Sequence, residues 1–162
     1  LLADLPRLDG GERTVLDRAR EQCDDAFGRL LRNGQPLHVL HADLHGGNLK
    51  WRRGTLAVFD FDDCGLGLPV LDLAITTFYL RDGTDAGERA LQAGYAEVAA
   101  VPEVDPADFE ALVAARQLLL ANALLSTTTA DLRGEAADYL VTTVARLRHW
   151  LDTGRFTRAL PA

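Results

Sequence analysis

Two polar segments, joined by a short apolar stretch with a tight turn, constrain the fold of this chain most. The first segment, His41 to Asn48, reads His-Ala-Asp-Leu-His-Gly-Gly-Asn. The second, Asp60-Phe61-Asp62, begins twelve residues after Asn48. Between them, apolar residues flank Arg52-Arg53-Gly54, a glycine-containing turn that is typical of a β-hairpin. A hairpin brings its two ends together, so we expect Asn48 and Asp60 to lie close in space.

The spacing of three polar residues in these segments matches the catalytic apparatus of kinases. In that apparatus one aspartate accepts the proton of the acceptor hydroxyl, while an asparagine and a second aspartate hold Mg²⁺ against the phosphates of ATP. Asp43, Asn48 and Asp60 have the required order and spacing. An amide oxygen and a carboxylate are hard ligands that suit Mg²⁺ beside phosphate oxygens and water. The pattern predicts one site, with Asp43 as the catalytic residue and Asn48 and Asp60 as metal ligands.

With Asp72-Leu73-Ala74 added, the segments resemble the aminoglycoside/choline kinase-like phosphotransferase family, whose pattern runs His-Gly-Asp-Leu-His-x-Gly-Asn, Ile-Asp-Phe-x-Asp and Asp-Leu-Ala. The resemblance implies the C-terminal lobe of a protein-kinase-like fold, mainly α with a small β-hairpin. It implies that His41 and Asp72 support the catalytic loop of residues 41–48 and that Phe59 contacts the nucleotide. It also implies transfer of the γ-phosphoryl group of ATP to a hydroxyl of an amino-sugar or amino-alcohol, or of a protein serine or threonine.

Two further residues are candidate substrate contacts. His45 stands where protein kinases have a lysine, so it could touch the acceptor or a phosphate, although a solvated loop histidine is equally compatible. Asp62 stands where protein kinases have a glycine, and it is either a second metal contact or a contact to a cationic acceptor. Eight acidic residues and a single basic one, Arg89, lie between Asp82 and Glu110. That balance suits a cationic small-molecule acceptor, but solvated helix faces produce it too.

We expect residues 1–162 to form a single domain of a larger enzyme. The length suffices to bury a core, yet no glycine-rich strand-turn-strand precedes residue 41, and Lys50 is the single lysine. A kinase site needs a loop over the phosphates and a strand lysine beside them, and Lys50 follows the catalytic loop. Leu1 to Pro6 also reads like the middle of a polypeptide. The expectation is that an N-terminal nucleotide-clamping lobe of the same polypeptide is absent here and that this lobe alone is inactive.

Apolar periodicity and helix-breaking residues predict the remaining elements. Asp105-Pro106 is an N-cap followed by a proline at the first helical position, a strong helix start. The predicted elements are a helix at Glu12–Asn33, a strand at Leu37–Leu40, and helices at about Pro69–Arg81, Ala86–Val101, Asp105–Thr127 and Glu135–Asp152.

Composition narrows the expected partners and compartment. The 24 acidic and 17 basic residues give a net charge of −7, which argues against nucleic acid as the main partner. No apolar run approaches the roughly eighteen residues of a membrane helix, and no signal-peptide pattern is visible. Two cysteines, Cys23 and Cys64, suit a reducing compartment. These features predict a cytoplasmic enzyme without a membrane partner.

Two other interpretations remain open. One is a zinc-dependent hydrolase, because clustered histidines with a carboxylate can bind Zn²⁺, although this would leave Asn48, Asp60 and Asp72 without a role. The other is a degenerate kinase lobe that serves as a non-catalytic binding module. Stoichiometric zinc after purification would identify the first, and the presence or absence of an upstream lobe bears on the second. The four possible zinc ligands are His38, His41, Asp43 and His45.

Overall fold

Five α-helices form most of the part of the chain that the structure, a computed structural model, describes: residues 8–127 and 130–160. The predicted mainly helical fold with a small β component is confirmed. Leu1 to Pro6, which we interpreted as the middle of a polypeptide, lies outside the described residues. The helices are α1 (Gly10–Arg32), α2 (Val70–Leu80), α3 (Ala86–Ala96), α4 (Pro106–Ser126) and α5 (Ala130–Thr153).

Four short strands form two antiparallel pairs, β1 (His38–Leu40) with β4 (Gly65–Gly67) and β2 (Leu49–Arg52) with β3 (Thr55–Val58). The second pair is the predicted hairpin, in which Leu49 lies opposite Val58. The first pair was not predicted, because the glycines around Leu66 suggested only a connection. Gly67 lets Leu40 pack closely at this pairing, since a Cβ there would lie 2.6 Å from Leu40 Cδ1 and the leucine side chain would have to shift.

Side-chain caps start two of the helices. Asp9 caps α1 in a capping box with Glu12, and Asp105 caps α4 with Pro106 in the first turn, as predicted. Two predicted bounds were wrong. Helix α3 ends at Ala96 rather than near residue 101, and in the turn that follows the N–H groups of residues 98 and 99 both donate to the carbonyl of Tyr95. Helix α5 starts at Ala130, five residues before the predicted start.

Helix α4 is the central core helix and packs against α1, α2 and α5. By length and composition it is also apolar enough to span a membrane, the one such helix within residues 8–127 and 130–160. The expectation that no segment reaches this length was therefore wrong. Eight side chains of α4 are buried among the neighbouring helices, which is the environment of a core helix.

A buried arginine joins α2, α3 and α4. Arg81 is only 3% exposed, and its guanidinium donates to both carboxylate oxygens of Glu88 and of Glu110 and to the carbonyl of Phe156. Burial alone would lower the pKa of Arg81, but its hydrogen bonds to the two carboxylates outweigh this and raise the pKa above the ordinary value. The fold therefore neutralises this buried cation fully.

The acidic segment from Asp82 to Glu110 serves the fold in several places. Besides the two carboxylates on Arg81, Asp105 caps α4. Carboxylates that are bound to arginines or to a helix end have their charge balanced within the fold, so this segment offers less free negative surface than its composition suggests. Further ion pairs join Asp85 and Glu88 to Arg155, Asp108 to Arg29, and Asp85 to Arg89.

Candidate active site

The first turns of α2 hold the loop that carries Asp43. The Asp72 carboxylate accepts the backbone N–H groups of His41 and Ala42, at 2.9 and 2.8 Å, so the predicted contact is present. One turn later, the hydroxyl of Thr76 lies within hydrogen-bond distance of two carbonyls, at 3.0 Å from that of Leu44 in the loop and 2.8 Å from that of Asp72. These bonds hold Ala42 in the left-handed region, with φ of 62°. The strained backbone next to Asp43 is thus fixed from α2.

His41 joins the loop to the end of β3. It is 8% exposed, its Nδ1 accepts the N–H of Asp43 at 3.3 Å, and its Nε2 lies 3.0 Å from the carbonyl of Phe59. Because Nδ1 accepts, a neutral ring carries its proton on Nε2 and donates it to that carbonyl. Both ring nitrogens of His41 are therefore committed within the protein.

Asn48 lies against Asp43. The Nδ2 of Asn48 donates to the carbonyl oxygen of Asp43 at 2.9 Å and to its carboxylate at 3.1 Å. The backbone carbonyl of Asn48 accepts the N–H of Phe59 at 3.1 Å, across the open end of the hairpin. Asp60 follows directly, with φ of 66°. The hairpin thus brings the backbones of Asn48 and Asp60 to the same end, as its turn predicted.

The donor atoms left at this end suit a hard divalent cation. Because Nδ2 of Asn48 binds Asp43, the amide oxygen of Asn48 takes no part in that contact, and Asp60 is exposed at the same end of the hairpin. Across the described ranges, no group of three or more His, Cys, Asp or Glu residues is arranged to hold a metal ion. An amide oxygen and a carboxylate, completed by phosphates and water, would suit Mg²⁺. They do not fit a tetrahedral zinc site.

The histidines proposed as zinc ligands are either hydrogen-bonded to backbone groups of the protein or located on another element. Both nitrogens of His41 bind backbone groups, and Nδ1 of His45 accepts the N–H of Gly47 at 3.0 Å. His38 is exposed on β1. The structure gives the hydrolase interpretation no support.

Arg116 and Tyr79 belong to this site, and neither was predicted from the sequence. Arg116 extends from α4 and its Nη2 donates to the carboxylate of Asp43 and, at 2.9 Å, to the hydroxyl of Tyr79. Its side chain is 11% exposed. One signal was available, since Arg116 is the only charged residue between Glu110 and Asp131. A lone cation in an apolar helix requires a partner.

The structure places the other three predicted site residues, His45, Phe59 and Asp62, differently relative to Asp43. His45 packs its ring on Tyr79, with centroids 4.6 Å apart, and its Nε2 is 3.5 Å from Asp43 Oδ2. Phe59 is 44% exposed beside Asp60. Asp62 is exposed in a turn closed by a bond from Cys64 N–H to the Phe61 carbonyl, and forms no ion pair with any described residue. The structure therefore brings His45, but not Asp62, into contact with Asp43.

A protein-family model and a curated protein each match part of this chain. A model of the phosphotransferase enzyme family (APH) matches residues 1–111. Amicoumacin kinase of Bacillus subtilis (strain 168) is 40% identical over 50 residues, which are 31% of this chain and 15% of that protein. The matched region thus covers a small part of the curated relative.

Two solved structures show the same fold. A microcompartment-associated aminopropanol kinase superposes with a TM-score of 0.75 and 24% identity, over 98% of this chain and 51% of that one. The amicoumacin kinase hAmiN, in complex with AMP-PNP, Ca²⁺ and Ami, superposes with a TM-score of 0.59 and 21% identity, over 89% and 48%. This chain spans about half the length of these structures.

Proposed function

Because this chain belongs to the phosphotransferase enzyme family, we propose that it is the C-terminal lobe of an ATP-dependent kinase acting on a small-molecule alcohol. The observation that supports this most is the arrangement around Asp43. Its loop is anchored by Asp72, its carboxylate is bonded to Asn48, and Asp60 follows the strand end that pairs with Asn48. Positioning and charge neutralisation are the main tasks in phosphoryl transfer, and this arrangement serves both.

In the proposed reaction, the acceptor hydroxyl gives its proton to Asp43 as its oxygen bonds to the γ-phosphorus. The bond between that phosphorus and the β–γ bridging oxygen breaks, and ADP leaves. Asn48 and Asp60 would hold Mg²⁺, which when bound neutralises charge on the phosphate oxygens. Phe59, half-exposed beside Asp60, would contact the nucleotide. The complex of hAmiN with AMP-PNP and Ca²⁺ supports a nucleotide and a divalent cation in this fold.

We propose that a nucleotide-clamping lobe of the same polypeptide covers the two small sheets. Large apolar side chains are exposed there, including Trp51 at 72% and Val39 at 77%. Several large apolar side chains exposed on neighbouring strands are typical of a protein interface. The half-length coverage of the two kinase structures supports the same proposal. Other exposed apolar residues of this surface are Phe59, Phe61 and Leu66.

The test is acceptor-dependent ADP release by the complete polypeptide, screened against hydroxyl compounds with ATP and Mg²⁺. Asp43→Asn and Asp60→Asn should each lower kcat by roughly a hundred-fold or more. Asp24→Asn is the matched control, because Asp24 is an exposed residue of α1, paired with Arg20 and outside the motif segments. Full turnover by Asp43→Asn, or an equal loss in Asp24→Asn, would contradict the proposal.

A further inference from the structure

Arg116 and Arg158 both lie against the ring of Tyr79, near Asp43, and Arg146 contacts the backbone of Arg158; we call these three arginines the arginine cluster. The guanidinium carbons of Arg116 and Arg158 lie 5.5 and 5.6 Å from the centre of the Tyr79 ring. The Nε of Arg146 donates to the backbone carbonyl of Arg158 at 2.9 Å. α4, α5 and the segment after α5 therefore each contribute one arginine near Tyr79 of α2.

The cluster carries more positive charge than the described carboxylates balance. Among the described acidic residues, only Asp43 forms an ion pair with the cluster, and it does so through Arg116. Among the described side chains, those of residues 8–127 and 136–160, neither Arg146 nor Arg158 forms an ion pair with a carboxylate, and the buried Nε of Arg158 has no hydrogen-bond partner. Arg81 is the internal comparison, because the same fold gives that buried arginine two carboxylates.

The excess of positive charge in the cluster is unfavourable for the folded state. Burial and, secondarily, the neighbouring charge of Arg158 lower the pKa of Arg146. Adjacent cations removed from water repel each other unless an anion joins them. The chain as a whole is acidic, with a net charge of −7, so the local excess of positive charge is specific to this surface. An anion with several oxygens would complete it, since guanidinium groups bind carboxylate and phosphate in bidentate geometry.

We propose that the arginine cluster binds an anionic group, a carboxylate or a phosphate, carried by the hydroxyl acceptor itself. This inference rests on the proposed kinase function and names its substrate class. Arg116 connects the cluster to the catalytic loop, because the same Nη2 contacts Asp43 and Tyr79. An anion bound here lies within reach of Asp43, and it competes for Arg116, leaving the Asp43 carboxylate to accept the hydroxyl proton.

The test measures binding to the 162-residue chain by calorimetry, with alcohols that share a carbon skeleton and differ in charge. A three-carbon set is glycerol, glycerate, glycerol 3-phosphate and 1-amino-2-propanol; a sugar set is galactose, galacturonate, galactose 6-phosphate and galactosamine. In at least one set an anionic member should bind roughly ten-fold more tightly than its neutral counterpart, and the amine should bind most weakly. The carboxylate and phosphate members show which anion is preferred. Equal binding of anionic and neutral members in both sets overturns the proposal.

Variants locate the binding on the cluster. Arg158→Gln should lose roughly ten-fold in affinity for the anionic member, and Arg158→Lys should retain part of it. Arg20→Gln is the control, because Arg20 is an exposed residue of α1 paired with Asp24. Thermal unfolding establishes that each variant is folded, and the comparison within each ligand set needs no variant. Equal anion binding by Arg158→Gln and Arg20→Gln overturns the proposal.

Phosphoryl transfer is measured separately, on the complete polypeptide. Preference for anions without any transfer would leave the binding site in place and overturn the kinase function. Transfer to neutral or cationic alcohols, without preference for anions, would uphold the kinase function and overturn the anionic substrate class.

Discussion

The carboxylate of Asp72 accepts the backbone N–H of His41 at 2.9 Å, although 31 residues separate the two along the chain. A second oxygen of the same carboxylate accepts the next N–H, that of Ala42. A carboxylate with two charged hydrogen bonds to successive amides fixes the direction in which the chain enters the loop. The position of Asp43 therefore depends on the start of α2, at some distance from any reacting atom.

We predict that Asp72→Ala lowers the free energy of unfolding of the chain by about 2–3 kcal/mol, since two amides lose a charged acceptor. Asp72→Asn, which keeps one acceptor oxygen, should lose less. In the complete polypeptide, kcat should fall in the same order. Urea denaturation measures the first effect, with Asp24→Asn as an exposed control expected to change stability by less than about 0.5 kcal/mol. Equal stability of Asp72→Ala and Asp24→Asn would reduce Asp72 to a favourable charge on the helix dipole.

Local features of the fold could be predicted from the sequence, and a non-local one could not. Caps, prolines and the Gly54 turn act on neighbouring residues, so the hairpin and all five helices were foreseen, with errors at the ends of two. The pairing of β1 with β4 joins residues that are far apart in sequence, with Leu40 opposite Gly65, and Leu40 packs closely against Gly67. Nothing in the local pattern of a glycine-rich connection reveals such a contact.

The residues of the candidate site also fall into those that the sequence predicts and those that it does not. Motif spacing predicted the loop with Asp43 and Asn48, and the family resemblance predicted its bonds to Asp72. It missed Arg116, which lies 73 residues from Asp43 in sequence and reaches it only when α4 packs beside α2. The solitary charge of Arg116 in an apolar helix indicated a partner without identifying it. The contact of Arg116 with Asp43 was therefore not visible in the sequence.

Ala42 has φ of 62° where the family pattern has glycine. A side chain in the left-handed region costs about 1–2 kcal/mol, and glycine avoids that cost. We predict that Ala42→Gly raises the free energy of unfolding by about 1 kcal/mol. Ala123→Gly, at an exposed position inside α4, should lower it by about the same amount. Chemical denaturation of the two variants should give opposite signs, and destabilisation by both would contradict the strain at Ala42.

The two cysteines should differ sharply in reactivity. Cys23 is 4% exposed and its thiol donates to the carbonyl of Ala111 at 3.2 Å, whereas Cys64 is exposed. Burial, reinforced by the charge of Asp24, raises the pKa of Cys23 to about 12. Iodoacetamide at about pH 8 should label Cys64 and spare Cys23, because the thiolate is the nucleophile. Mass spectrometry checks this, and labelling of Cys23 in folded Cys64→Ser protein would disprove it.

The same raised pKa has a consequence for stability. The Cys23 thiol of the unfolded chain ionises at its ordinary pKa, while the folded protein keeps it neutral up to about pH 12. This contribution to stability is therefore fully present below the ordinary pKa and is lost as pH rises toward about 12. Cys23→Ala should show a shallower alkaline loss of stability than the unaltered chain, measured by urea denaturation across that range. Identical slopes would contradict the burial of a neutral thiol.

The last prediction is that the 162-residue chain folds cooperatively and yet transfers phosphoryl groups no faster than background. Its helices bury a continuous core around α4, so a single unfolding transition is expected. Asn48 and Asp60 would hold the metal and phosphates from one side, whereas the phosphate-covering loop and strand lysine of a kinase site come from another lobe. Lost positioning alone can raise the barrier by roughly 7–11 kcal/mol. ADP release by the chain should match that of its Asp43→Asn variant, and robust turnover that disappears in Asp43→Asn would show that this lobe is sufficient by itself.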